Sequence, residues 1–309
     1  MFSAFQTFGR LGAGARAVAA AWTPAALWPT GTEPGMWIDP SNLATSWQDS
    51  TGTTPVSPPG TVADSSNPVG LALDLRLGAT TPAGSGNHLL QATSTARPLV
   101  SGRVNLLMYT EIIPTGREDW YHNNVNISNG YSDPDSGNTA SKFEIVPDTY
   151  AYVNIIISKT GTLFTFCFYM RGEVGGEKVD VYHNGNVIGT VTLTVDWEFY
   201  SFPLTDHNTG LLLLASGNYT GTYTPFYLWH PQVNDGSTAL PYQAIPGDGS
   251  TYTSTGFPIF QKFDGTDDGM ATASFPAGTL SNNMDCLIAV RRDSAGNAVC
   301  GLYESVAEA

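Results

Sequence analysis

The sequence predicts an all-β protein whose central part is an antiparallel β-sandwich. Three observations predict it. Apolar runs of strand length recur through residues 103–246, at close to the ~8–12-residue spacing of sandwich and barrel strands. Glycine (33) and proline (20) punctuate the 309 residues and end those runs in turns. Within the same stretch no amphipathic helix of useful length can be drawn, so packing sheet on sheet is the economical way to bury the apolar faces.

Residues 1–21 hold Arg10, Arg16 and an alanine-rich end, with Phe2, Phe5, Phe8 and Leu11 recurring every three residues. If helical, they form one apolar stripe. A segment this short does not hold a helix alone in water, so it reads as a docking peptide. A cleaved secretory signal is the alternative, against which Gly12, Gly14 and Arg16 interrupt the apolar core.

Residues 22–98 are punctuated rather than periodic. Short runs such as Gly70-Leu71-Ala72-Leu73-Asp74-Leu75 stand between glycine and proline clusters, which predicts short strands on long turns. Trp37 and Trp47 are expected in the core or pinning loops.

The central strands are expected over 152–157, 163–170, 178–182, 187–194, 197–202, 211–215 and 223–229. Asn184-Gly185 tolerates positive φ at both central turn positions and predicts a tight hairpin. Alternation in Lys178-Val179-Asp180-Val181 puts both valines on one face. Residues 256–309 add a hairpin flanked by Cys286 and Cys300, and are too few for a sandwich of their own. Cys167, in an apolar strand, is expected as a small buried hydrophobe.

Composition excludes several functions. With 13 Lys+Arg against 27 Asp+Glu the net charge is -14, so no basic stripe tracks a nucleic-acid backbone. No apolar run reaches the ~18 residues that cross a bilayer. His88, His122, His183, His207 and His230 form no i, i+4 metal pair, and neither a nucleophile elbow nor a phosphate loop occurs. A binding protein without cofactor is expected, not an enzyme.

Two acidic turns carry the oxygen chemistry of calcium: Asp133, Asp135 and Asn138, and more weakly Asp264, Asp267 and Asp268. Calcium needs about six to eight oxygens, more than either turn offers, and both also read as ordinary Asx turns. For sugar, the chosen candidate is an aromatic-plus-amide loop of Trp120, Tyr121, His122, Asn123 and Asn124, in which Trp120, Tyr121, Asn123 and Asn124 would contact glycan. Tyr227 and Trp229, near Asn218-Tyr219, have similar composition. A core position is the competing reading for strand tryptophans such as Trp197 and Trp229, and the favoured one for Trp120, which closely follows an apolar strand.

Several motifs resemble those of tailed-phage and prophage virion proteins. They are Trp22-Thr23-Pro24-Ala25, Met36-Trp37-Ile38-Asp39-Pro40, Trp47-Gln48-Asp49, Pro68-Val69-Gly70-Leu71, Ala96-Arg97-Pro98 and Phe263-Asp264-Gly265-Thr266-Asp267-Asp268. The middle resembles a carbohydrate-binding-like phage sandwich through Asn105-Leu106-Leu107-Met108-Tyr109-Thr110-Glu111, Trp120, the Asp133-Pro134-Asp135 turn, Asp196-Trp197 and Leu228-Trp229-His230-Pro231 with Pro241-Tyr242. The resemblance implies a docking segment at 1–21 and a concanavalin-like domain made of 22–102 and 247–309, which looks unfinished at residue 309. A carbohydrate-binding-like jelly-roll sandwich at 103–246 would be inserted in it. It further implies a structural tail-fibre or baseplate protein on the particle exterior. Its partners would be other virion proteins, copies of itself (a trimer favoured) and host surface glycan, with no nucleic acid and no membrane insertion. A capsid decoration or head-fibre protein is the near alternative; a secreted lectin or glycoside-active enzyme is the distant one.

Overall fold

The computed structural model describes residues 35–83, 86–146, 151–157, 161–207, 211–215, 224–264 and 266–272. The stripe Phe2, Phe5, Phe8, Leu11 and the hairpin at Cys286 and Cys300 lie outside the described residues. The chain is all-β, as the sequence predicts, with short 3-10 turns between strands.

Four short strands come first: β1 (Ser46–Trp47), β2 (Leu71–Ala72), β3 (Leu89–Leu90) and β4 (Leu99–Ser101). Ten longer ones follow: β5 (Trp120–Asn123), β6 (Val125–Tyr131), β7 (Ala140–Ile145), β8 (Tyr152–Ile156), β9 (Gly161–Gly172), β10 (Lys178–His183), β11 (Asn186–Thr192), β12 (Glu198–His207), β13 (Leu211–Ala215) and β14 (Phe226–Asp235). Then come β15 (Phe260–Lys262) and β16 (Ala271–Thr272).

The ten central strands form two five-stranded sheets, β11-β10-β13-β8-β5 and β12-β9-β14-β7-β6. Every pairing within them is antiparallel. The shared core is aromatic and β-branched: Trp120, Phe143, Ile155, Phe164, Phe166, Phe168, Met170, Val179, Val181 and Leu228 are buried in one cluster. The expected alternation holds, with both valines of β10 inside. The expected turn holds too, because Asn184 (φ 50°) and Gly185 (φ 77°) are both left-handed, the geometry whose twist matches the flanking strands.

The short strands pair across the sandwich in sequence. β16 joins β3 in a sheet of order β1-β2-β3-β16, and β15 pairs with β4. Val56, Val69, Ala72 and Val100 form a small core against which Ile259 and Met270 pack.

A buried polar staple holds the chain where it enters and leaves the sandwich. Gln243 Oε1 accepts from the backbone N–H of Val104 (2.7 Å) and Asn105 (3.1 Å). Its Nε2 donates to the carbonyls of Gly102 (2.9 Å) and Thr253 (2.8 Å). Asn105 answers, with Nδ2 donating to the Gln243 and Pro231 carbonyls and Oδ1 accepting from Leu107 and Val233. Both side chains are fully buried, and irregular backbone at that depth needs such partners in place of a ladder.

Candidate binding face

The site is written in the alternation of β9. Phe164, Phe166, Phe168 and Met170 point into the core, which leaves Thr165, Cys167, Tyr169 and Arg171 on the opposite face. On β14, Phe226 and Leu228 are inside, so Tyr227 and Trp229 share the outer face with Tyr169 and Arg171. On β7, Phe143 is inside and Lys142 outside.

Register then assembles two cross-strand rows. Phe199, Tyr169 and Trp229 sit opposite one another on β12, β9 and β14. Arg171, Tyr227, Lys142 and Ser128 do the same on β9, β14, β7 and β6. Neighbouring strands lie ~4.8 Å apart, so these side chains touch. Tyr169 is 5.1 Å from both Phe199 and Trp229 between ring centroids. Trp197, just before β12, lies 6.4 Å from both Tyr227 and Trp229, and Tyr131 lies 5.4 Å from Tyr227. Tyr227 and Trp229, each 5% exposed, form the floor. Tyr169, Trp197 and Tyr131 are half-buried above it, and Phe199, 49% exposed, is the rim.

Charges stand among the rings. The Arg171 guanidinium lies 3.9 Å from the Tyr227 centroid and 5.4 Å from that of Trp197. Lys142 Nζ is 3.0 Å from Glu144 and 3.8 Å from Glu173, and the Glu144 bond holds its pKa above the ordinary lysine value. Glu173 also accepts from the Tyr227 hydroxyl. Burial, and then that bond, raise the Tyr227 pKa.

Two devices fix the floor. The first is a bulge between Trp229 and Gln232, where His230 takes φ 51°. The imidazole is stacked between the Trp229 ring, at 3.4 Å, and the Tyr242 ring, at 3.6 Å. Tyr242 in turn donates to Glu111 Oε1 at 2.5 Å. The second is a relay from the Asp133 turn. Trp229 Nε1 donates to Thr139 Oγ1 at 2.8 Å, and that hydroxyl donates to Asp133 Oδ2 at 2.9 Å.

The relay gives the Asp133 carboxylate partners of its own, in the turn that also holds Asp135 and Asn138. Asp133 is buried, and its carboxylate already accepts from the N–H groups of Asp135, Gly137 and Thr139 and from the Thr139 hydroxyl. Burial alone would raise its pKa; those bonds outweigh it and hold the group below the ordinary carboxylate range. The oxygens face N–H and O–H donors, while Asp135 and Asn138 are exposed. Asp264, Asp267 and Asp268 do bring carboxylate oxygens within 4.8 Å of one another. There Asp264 Oδ1 accepts from the N–H of Thr266 (2.8 Å), Asp267 (3.3 Å) and Asp268 (3.3 Å), which is turn chemistry.

The aromatic-amide candidate is corrected at Trp120, where the core reading holds. Trp120–Asn123 is strand β5 rather than a loop. The Trp120 ring is 1% exposed in the core, and its Nε1 donates to the Met108 carbonyl at 2.7 Å. Tyr121 is exposed on the far side of the other sheet, 6.1 Å from Tyr152. Asn123 faces Tyr152 across β8, and Asn124 is a left-handed corner at φ 53°. None of these four residues joins the aromatic rows. The sequence reading noted Tyr227, Trp229 and Trp197 but missed Tyr169, Arg171, Phe199 and Lys142. Thr165 and Arg171, both polar and an even number of residues from Tyr169, were the available signal.

His230 gives the face an acid sensitivity. Burial lowers its pKa from 6.5 to about 4 despite the opposing pull of Asp133, while Glu111 Oε1 stands 4.0 Å from Nε2. The folded state therefore favours neutral imidazole, and the unfolded chain binds the extra proton. Stability is expected to be full above pH 6.5 and to fall towards pH 4, by at most ~1.4 kcal/mol per pH unit. Urea titrations at pH 7, 5.5 and 4.5 check this, and His230→Phe should flatten the slope in that window. The fall from Asp133 belongs to lower pH.

No family model and no curated protein matches the chain. Solved structures similar to it include family 29 carbohydrate binding modules. One is 13% identical, covers 43% of this chain and 88% of its own, and has a TM-score of 0.33. A lysine-to-alanine mutant complexed with cellulohexaose is 14% identical, with 45% and 93% covered and a TM-score of 0.33. An aspartate-to-alanine mutant complexed with mannohexaose is 13% identical, with 43% and 92% covered and a TM-score of 0.33.

Proposed function

We propose that the central sandwich is a non-catalytic glycan-binding module, and that its ligand lies on the face of the sheet β12-β9-β14-β7-β6. The observation that carries the reading is the pair of cross-strand rows, Phe199–Tyr169–Trp229 beside Arg171–Tyr227–Lys142. A pyranose has an apolar face and a rim of hydroxyls. Planar rings cover the first, while guanidinium, ammonium and carboxylate groups bond the second. Rings held by a relay and a bulge are ordered before the ligand arrives, which lowers the entropy cost of binding.

Phe199→Ala separates ligand contact from packing. The ring is at the rim, so its removal is expected to cost no more than ~0.5 kcal/mol of stability. Affinity for a glycan found by array screening should fall at least about tenfold, or ~1.4 kcal/mol. Calorimetric titration beside a thermal melt reads both, and unchanged affinity would remove this face from consideration.

The setting we propose is the exterior of a tailed-phage particle, as a tail-fibre or baseplate component. Support comes from the ordered motifs between Trp22 and Asp268 and from the apolar stripe Phe2, Phe5, Phe8, Leu11. Deleting residues 1–21 is expected to abolish incorporation into particles and leave the melt of the purified protein unchanged. Particles carrying the truncated chain at normal copy number, counted by mass spectrometry, would overturn the docking role.

A further inference from the structure

We infer that the ligand of this face is an acidic glycan and that Arg171 reads its carboxylate; the inference rests on the glycan-binding reading above. Both carboxylates beside the rings are committed to Lys142: Glu144 at 3.0 Å, and Glu173 at 3.8 Å while it also accepts from Tyr227. Arg171 stands over Tyr227 and Trp197 instead. Among the described residues it makes neither an ion pair nor a hydrogen bond through its side chain. In a chain with 27 acidic and 13 basic residues, a half-buried cation left unanswered is the exception.

The chemistry of the group narrows the ligand. A guanidinium stacked on rings uses its π face and keeps its N–H edges for a partner, and those edges match a carboxylate with two parallel bonds. A neutral sugar laid over Arg171 would strip water from the charge and return only hydroxyl bonds, a poor exchange. A uronic acid stacked on the neighbouring rings places its carboxylate at the sugar's edge, where the fork of Arg171 can pair with it.

The test uses the full chain and three acidic probes: oligogalacturonate, alginate oligomers and hyaluronan fragments. Each is also prepared with its carboxylates reduced to hydroxymethyl groups. At least one acidic probe should bind ten or more times tighter than its reduced form. The preference should shrink as salt rises and vanish in Arg171→Gln. Arg171→Lys keeps the charge without the fork and should retain only part of the preference, which controls for loss of packing on Trp197. Equal binding of both forms, abolished by Phe199→Ala, would overturn the acidic inference and leave the face a glycan site. Binding of no probe in either form would overturn the acidic inference and leave the glycan reading to the array, and binding indifferent to Phe199→Ala would remove this face from both.

Discussion

Gln243→Ala should lower the unfolding free energy by about 3–5 kcal/mol, because one truncation strands several buried backbone groups at ~1–3 kcal/mol each. The N–H groups of Val104 and Asn105 and the carbonyls of Gly102 and Thr253 all lose their partner. Gln243→Glu should cost at least as much at neutral pH, since the carboxylate still accepts from the two N–H groups but sets a buried negative charge against the carbonyls of Gly102 and Thr253. Chemical denaturation followed by far-UV dichroism measures the loss. A fall under about 1 kcal/mol for Gln243→Ala would show that water replaces the amide.

Trp120→Ala should cost about as much by another route. Removing a fully buried indole leaves a cavity worth ~3–5 kcal/mol, and the Met108 carbonyl loses its donor. Trp120→Phe refills part of the volume and should leave a smaller deficit. In neither variant should glycan affinity change at temperatures where the protein stays folded, because the ring lies between the sheets. This is the opposite pattern to Phe199→Ala, so the pair of variants assigns each ring to packing or to contact.

These contrasts explain how far the sequence could be read. The sandwich was legible because β10 alternates cleanly and Asn184-Gly185 demands one turn type. For Trp120 the sequence leaves contact and core both open, with core the favoured side. An aromatic beside asparagines has the composition of a sugar site, but which side of a strand it occupies depends on its neighbours, here Ile155 across β8. In β9 the run from Phe164 to Met170 is apolar on both faces, so hydrophobicity does not tell Phe168, inside, from Tyr169, outside. Counting from Thr165 and Arg171 would have done so. The Asp133 turn was read correctly as a turn; its hold on Trp229 spans 90 residues of sequence, which no local pattern encodes.

The bulge at His230 has a consequence for how this chain can change over time. Leu228 and Val233 both enter the core although an odd number of positions separates them, so the two halves of β14 run in opposite phase, joined at His230 and Pro231. Before the joint, Tyr227 and Trp229 serve the rings; beyond it, Gln232 and Asn234 bond the chain at 238–243. Deleting one residue at the joint would leave Leu228 and Val233 an even four positions apart, so an unbroken strand would keep both in the core and lose only the corner that seats the imidazole between Trp229 and Tyr242. Substitutions here can be absorbed one at a time. A one-residue insertion cannot, because it would need a second extra residue looped out to keep Val233 inside in its present register, and lineages of this protein should carry added residues in the turns and spare this strand.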